Sequence, residues 1–118
     1  MHTKFGLFLV EYRERHNYSL RQMASVLGVS AAFLSAIELG KKRIPDTFYS
    51  RLVEKFIFTK KEKEVLKDAI AISNKVVEIE LDDLTKLETE VAILFARNLT
   101  SLSSDKLRAI KEMLKLEE

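Results

Sequence analysis

Three consecutive cations, Lys41, Lys42 and Arg43, form the cluster with the clearest chemistry in this chain of 118 residues. Ammonium and guanidinium groups bind phosphate oxygens, and each phosphate neutralised adds a salt-dependent, sequence-independent increment to affinity. A solvated surface cluster is the simpler alternative. The charge distribution favours phosphate, because residues 1–61 hold 11 Lys/Arg and 5 Asp/Glu, a net +6, whereas residues 62–118 hold 9 and 13, a net −4. Only the front half is therefore expected to meet a polyanion.

The other reactive side chains do not assemble into a catalytic, cofactor or metal site. The chain has no cysteine, which excludes disulfides, thiolate metal ligands and thiol nucleophiles. His2 and His16 are isolated, and neither has a second ligand at a metal-binding spacing. The sequence also lacks a glycine-rich phosphate loop and a nucleophile motif. We therefore expect a protein that is not an enzyme and needs no cofactor or metal.

The elements that must position the basic cluster are two short amphipathic helices ahead of it. The pattern predicts helices at Ser19–Leu27 and Ser30–Leu39, separated by a turn at Gly28 and Val29. The hydroxyls of Ser19 and Ser30 can each accept an N–H of the first helical turn, and Gly28 can take the left-handed conformation that ends a helix. The residues expected on the faces that the helices share are Met23, Ala24, Val26, Leu27, Val29, Leu34 and Ile37.

Two helices joined in this way form a helix-turn-helix, which places its second helix in the DNA major groove. The segment resembles the Cro/phage-repressor (Xre) family of DNA-binding transcriptional regulators through its opening, SLRQMASVLGVS, and its close, LSAIELGKKRIP, with Glu38, Gly40 and Pro45. The likeness covers about residues 4–57. It implies an all-α fold in which residues 1–58 form a lambda-repressor-like helix-turn-helix domain and residues 59–118 form a helical dimerisation or interaction extension.

The resemblance also implies which residues meet DNA. The recognition helix begins at Ser30 and presents to base edges Ala31, Ala32, Ser35 and Ala36. The residues expected at the phosphate backbone or a flanking base are Arg21, Gln22, Lys41, Lys42 and Arg43. Many relatives carry glutamine, asparagine or arginine at the base-facing positions, whereas alanine offers only a methyl group to a thymine methyl. Direct readout is therefore expected to be modest, and specificity to depend on DNA shape and paired half-sites.

Other charged residues of the front half are weaker candidates for contact with DNA. Arg13, Arg15 and Arg51 are further phosphate candidates, although a solvated surface charge is the simpler interpretation of Arg13 and Arg15. Glu38 is acidic on the helix meant for DNA, and its role in relatives resembles a structural one. We assign it no base contact.

The rest of the chain is expected to be helical, because its three glycines and single proline all lie before residue 46. The further predicted helices are Thr3–His16; Phe48–Phe56, capped by Asp46 or Thr47; a helix from the capping box of Thr59 and Glu62 to about Asn74; a helix from Asp82 or Asp83 to near Leu99; and a last helix capped by Ser103 or Ser104.

Residues 76–81 are ambiguous. From Val77 onward apolar and acidic residues alternate, which favours a short strand. A lone strand needs a partner, most simply its copy in a second subunit. Continuation of the preceding helix and an extended linker are the alternatives.

The apolar stripes of residues 59–118 must be buried by something. The first hypothesis is a homodimer, which would set two recognition helices about 34 Å apart on double-stranded DNA, as in a homodimeric repressor of its own or a nearby promoter. The alternative is an antitoxin or mobile-element regulator whose C-terminal half binds a partner protein. A third hypothesis is a small-molecule pocket lined by Phe95 and Met113, although simple core positions explain these two residues better.

Membrane and export signals are not expected. The apolar run Phe5–Val10 is short and Glu11 ends it, so it does not resemble a secretion signal. No apolar run approaches the length of a membrane span. We therefore expect a cytoplasmic protein without a membrane partner.

Overall fold

The computed structural model describes residues 1–115, which contain seven α-helices and no β-strand. The helices are α1 (Lys4–His16), α2 (Leu20–Leu27), α3 (Ala31–Glu38), α4 (Phe48–Lys55), α5 (Lys60–Asn74), α6 (Lys86–Asn98) and α7 (Ser104–Lys115), with a short 3₁₀ helix, Leu99–Ser101, after α6. The predicted all-α fold is confirmed for this range. The chain divides into two compact units, a first unit, Met1–Val77, and a second unit from Glu78 onward.

Side-chain caps explain where most of the helices begin. The preceding Ser or Thr accepts a hydrogen bond from a first-turn N–H at Thr3, Ser19, Ser30, Thr59 and Thr85. Complete capping boxes form between Ser19 and Gln22, Thr59 and Glu62, and Thr85 and Glu88. The predicted caps Ser19, Ser30 and Thr59 are thus confirmed.

The predicted start of α6 is wrong, whereas α4 begins at Phe48 as predicted but lacks the expected side-chain cap. α6 does not begin at Asp82 or Asp83, because the capping box of Thr85 satisfies two backbone donors further along the chain. At α4, Thr47 occupies the N-cap position without making a capping hydrogen bond. The Asp46 carboxylate does not cap this helix either, since it pairs with the Arg43 guanidinium at 3.0 Å.

The first unit has a continuous apolar core. Its fully buried side chains include Phe5, Leu9, Met23, Leu34, Ile37, Ile44, Phe48, Leu52 and Leu66. α5 contributes Leu66 and Ala69 to this core, so the unit extends well past the boundary expected at residue 58. Val26 was predicted on the face shared by α2 and α3, but it is 42% exposed because it lies on the outer side of α2.

A close approach of two backbones fixes α1 against the end of α3. A Cβ atom at Gly6 would lie 2.2 Å from the Glu38 carbonyl oxygen, so only glycine allows this packing. The backbone N–H and the hydroxyl of Thr3 both donate to the same carbonyl oxygen at 3.0 Å. The start of α1 therefore ties down the last residue of α3.

Residues 76–81 form no strand, since no strand lies within the described residues to pair with them. Val77 and Ile79 are largely exposed, and the segment has no regular secondary structure, which agrees with the linker alternative rather than with a continued helix.

The second unit consists of α6, the 3₁₀ helix and α7. Among its described residues none is buried. Within residues 1–115 no single helix is long and apolar enough to cross a membrane.

Candidate nucleic-acid interface

The crossing of α2 and α3 holds the second of these helices by one face only. The chain bends by 103° between them, within the range of helix-turn-helix units. Gly28 makes this bend possible with a left-handed φ of 73°, and the Val29 N–H donates to the Ala24 carbonyl at 3.0 Å. Leu34 and Ile37 fix the inner face of α3 in the core. The opposite face of α3 is left free for a ligand.

The outer face of α3 is built from small side chains. Of its four predicted base-facing residues, Ala32 is exposed, whereas Ala31, Ser35 and Ala36 are half-buried. Ala31 packs against the core and is the least available to a base. The Ser30 hydroxyl accepts the Phe33 N–H at 3.0 Å and can still donate its own proton. Short side chains at these positions allow a nucleic acid to approach the helix closely.

Arg21 and Gln22 are exposed on the first turn of α2. The side-chain Oε1 of Gln22 accepts the Ser19 N–H at 2.8 Å as part of the capping box. Its amide N–H₂ group remains the part that can bind a phosphate. The positive end of the α2 dipole lies at the same turn and favours an anion there.

The three cations after α3 stand on a structured loop, residues 41–43, here called the basic loop. Gly40, with φ 75°, ends α3, and the Lys41 N–H then donates to the Ala36 carbonyl at 2.9 Å, a Schellman closure. The ammonium group of Lys42 lies 5.9 Å from the Phe33 ring centroid. Arg43 keeps part of its guanidinium exposed while it pairs with Asp46. The structure thus places the basic loop directly beside α3.

The far end of the basic loop is fastened by a residue that sequence reasoning missed. Asn74, the last residue of α5, accepts the Ile44 N–H at 3.0 Å and donates to the Ile44 carbonyl at 2.9 Å. Asparagine is common at the C-terminal end of a helix, so the sequence does not indicate that Asn74 contacts Ile44.

Arg13 is not available to DNA, which corrects its place among the phosphate candidates. It is 8% exposed and forms a bidentate ion pair with the Glu38 carboxylate at 2.6 and 2.9 Å. Glu38 is 1% exposed, so its carboxylate satisfies the guanidinium inside the core and does not face a ligand. Its structural assignment agrees with this geometry.

Arg15 and Arg51 also have protein partners. Arg15 lies over the Tyr12 ring and pairs with Glu62 at 3.1 Å, whereas Arg51 donates to the Leu27 carbonyl at 3.5 Å. The Thr59 N–H, and after it Arg15, lower the pKa of Glu62, while burial opposes them. Burial is the main cause that raises the pKa of the Tyr12 hydroxyl.

The remaining concave surfaces differ in their lining. Between α1 and α5 the surface is lined mainly by charged side chains, Glu11, Glu14, Arg15, Lys61 and Glu62. An open, mainly apolar groove of about 300 Å³ lies between α6 and α7 and is lined by Phe95, Leu107, Ile110 and Leu114. Met113 is not among its lining residues. Within residues 1–115 no three His, Asp or Glu side chains come together as metal ligands.

Comparison with known families places residues 4–66 in the family described as "Helix-turn-helix domain". The matched range is slightly more than half of the chain and contains α1 to α4 and the first part of α5. No curated protein and no solved structure gives a significant match.

Proposed function

The chain belongs to the family of helix-turn-helix domains, and from that premise we propose that it is a sequence-specific, DNA-binding transcriptional regulator of the Cro/phage-repressor (Xre) type, acting in the cytoplasm. The observation that carries the proposal is the free outer face of α3 with the basic loop beside it. A major groove accepts such a helix, and phosphates lie within reach of cations that flank it.

DNA recognition in this proposal divides between two kinds of contact. Ala32 meets a thymine methyl in the major groove, and Ser35 donates to a base or a phosphate. The basic loop and the first turn of α2 bind phosphates on either side of α3 and fix its register. Because no bidentate base contact is available from alanine, specificity rests on methyl contacts, groove shape and the pairing of half-sites.

The need for paired half-sites leads to the second part of the proposal, a homodimeric repressor. An exposed apolar stripe runs along α6 through Leu87, Val91 and Leu94, which are 70%, 57% and 50% exposed. A two-helix unit of this size without a buried core is not expected to be stable by itself. A second copy supplies an identical apolar stripe by two-fold symmetry, and linking two weak readers multiplies their affinity. The repressive sign rests on the resemblance to phage repressors.

The experiment that tests the proposal is selection of bound fragments from a genomic DNA library, followed by titration of the enriched sequence over a salt series. Wild type should enrich a two-fold symmetric motif. Ala32→Glu should abolish enrichment, because a carboxylate would face the groove. Replacement of Lys41, Lys42 and Arg43 by alanine should weaken binding and reduce the salt slope by about 2 to 3, since each phosphate contact contributes about 0.9.

A matched control removes the same charge elsewhere in the first unit. Replacement of the exposed residues Lys60, Lys61 and Lys63 by alanine changes net charge equally but leaves the outer face of α3 intact. This variant should keep the motif and nearly all of the salt slope. Binding without any motif would contradict sequence specificity, and absence of binding would contradict the proposal as a whole.

A further inference from the structure

The basic loop is fastened at both of its ends by backbone hydrogen bonds. Its first residue, Lys41, is bonded to Ala36 of α3. At its far end, both backbone polar groups of Ile44 are taken by the side chain of Asn74. We propose that Asn74 is a positioning residue, which holds the basic loop at the place where its cations meet phosphate. This inference rests on the proposed function.

The chemistry of the contact explains why an asparagine does this. A side-chain amide has a donor and an acceptor side by side in one plane, like a peptide group, so it can pair with the N–H and the C=O of one residue. Aspartate could accept the N–H but would place a second oxygen against the Ile44 carbonyl. The Ile44 side chain is 0% exposed, so its backbone lies in a region where an unpaired polar group is costly.

Besides Asn74, this end of the loop is held by the buried Ile44 side chain and by the Pro45 carbonyl, which accepts the Phe48 N–H at 3.0 Å. Within residues 1–115, none of the other neighbouring groups pairs with the Ile44 backbone. Pro45, which follows Ile44, has no N–H to donate. The ion pair of Arg43 with Asp46 is exposed, and such pairs are weak and screened by salt. Without Asn74 the buried Ile44 side chain would still hold this end of the loop in the core. The Ile44 N–H and C=O would lose their partners, so the cations would spread over more orientations before each binding event.

Asn74 lies outside the part of the chain that matches the helix-turn-helix family, which ends at residue 66. It is also the last residue of α5, and Lys75 follows with a left-handed φ of 57° that directs the chain into residues 76–81. α5 therefore adds to the helix-turn-helix an element that reaches back to its DNA-facing loop.

The test compares Asn74→Ala with Asn98→Ala in the full chain. Asn98 is also the last residue of a helix, and its side chain donates to the Leu94 carbonyl at 2.8 Å, so it is a matched control in the second unit. Hydrogen exchange should show at least a tenfold loss of protection at the Ile44 amide in Asn74→Ala only. DNA affinity should fall about tenfold and the salt slope by about 1, as expected for the loss of one phosphate contact.

A double-mutant cycle separates positioning from a general loss of stability. In the background that lacks the three cations of the basic loop, Asn74→Ala should no longer change DNA affinity, because there is nothing left to position. An undiminished effect in that background would overturn the proposal. All affinities are measured at a temperature at which circular dichroism shows the variant folded. If alanine prevents folding, Asn74→Ser keeps a polar group at the helix end but cannot reach both backbone groups of Ile44.

The possible failures can be told apart. A wild-type chain that binds no DNA would overturn the proposed function and this role with it. Wild-type binding combined with an unchanged salt slope in Asn74→Ala would overturn the role of Asn74 alone. A protected Ile44 amide in Asn74→Ala would show that the hydrogen bonds do not hold the loop, and would overturn it as well.

Discussion

The first unit and the second unit are built from similar helices but differ in what covers their apolar faces. In the first unit, Phe5, Leu9, Leu34, Phe48 and Leu52 are all 0% exposed. In the second unit, the described part of α6 and α7 buries no residue, and Leu87 and Met113 are 70% and 63% exposed. The local helix signals are equally good, since both units contain a complete capping box. A sequence can therefore specify a helix without burying its apolar face. Within residues 1–115, only the helices of the first unit bury their apolar side chains.

The largest expected effect comes from removing the second unit. A chain ending at Val77 should remain folded with a cooperative thermal transition, because the core of the first unit is complete. It should sediment as a monomer, and its affinity for a two-fold DNA site should fall about 10²- to 10⁴-fold, the range that linkage of two readers can provide. Sedimentation velocity and DNA titration measure the two effects. A truncated chain that still dimerises would place the dimer interface in the first unit.

A point variant sharpens the same prediction. Leu94→Glu places a charge in the exposed apolar stripe of α6 and should dissociate the proposed dimer without changing the unfolding of the first unit. Leu7→Glu is the matched control, because Leu7 on α1 is 48% exposed, close to the 50% of Leu94. Equal loss of dimer in both variants would contradict the assignment of the stripe.

The next largest effect concerns the one buried ion pair among the described residues, Arg13 with Glu38. Glu38→Leu leaves an uncompensated guanidinium inside the first unit and should lower the free energy of unfolding by about 3 to 5 kcal/mol. The double variant Arg13→Met/Glu38→Leu should recover most of that loss, since apolar replacements of both partners are often neutral. Urea unfolding measures both. A single variant as stable as wild type would show that the guanidinium reaches solvent.

The smallest effect is a pH dependence at the start of α5. The pKa of Glu62 is lowered in the folded chain, first by the Thr59 N–H and then by Arg15. The ionised carboxylate therefore stabilises the fold at pH values above its unfolded pKa, and this contribution is lost as the pH falls through the folded pKa. The difference should be about 1 kcal/mol or less, because the pair is partly exposed.

Glu62→Gln tests this contribution because it keeps the capping geometry but cannot titrate in this range. Its free energy of unfolding should fall less than that of wild type between pH 7 and pH 3. Arg15→Gln should remove only part of the dependence, since the Thr59 N–H remains. Identical acid slopes in wild type and Glu62→Gln would contradict the assignment.

Much of the first unit could be predicted from local chemistry. Ser19, Ser30 and Thr59 are capping residues whose partners lie three positions ahead, so the sequence contains the whole interaction. Gly28 likewise predicts a left-handed turn from residue type alone, because glycine adopts a positive φ without steric cost. The start of α6 was misplaced because Asp82, Asp83 and Thr85 are all good caps, and only the reciprocal bond of Glu88 decides between them.

Contacts between distant positions were beyond sequence reasoning. The pairing of Arg13 with Glu38 spans 25 positions, and that of Asn74 with Ile44 spans 30. Arg, Glu and Asn are more often found exposed to solvent, so residue type alone does not reveal that these side chains have a partner in the fold. Residues 76–81 show that a strand pattern in the sequence is not sufficient, because a strand cannot form a hydrogen-bonded ladder without a second strand.

The small side chains on the outer face of α3 have a consequence for how this protein can change. Ala32 is exposed and does not hold up the core, so a longer residue there would be accommodated at a helix-propensity cost of about 0.2 to 0.7 kcal/mol. In the proposed DNA complex, the sequence preference could therefore be changed at this position without redesigning the core. Under the proposed function, the small side chains on the outer face of α3 make it a position at which new DNA-binding specificities can be introduced.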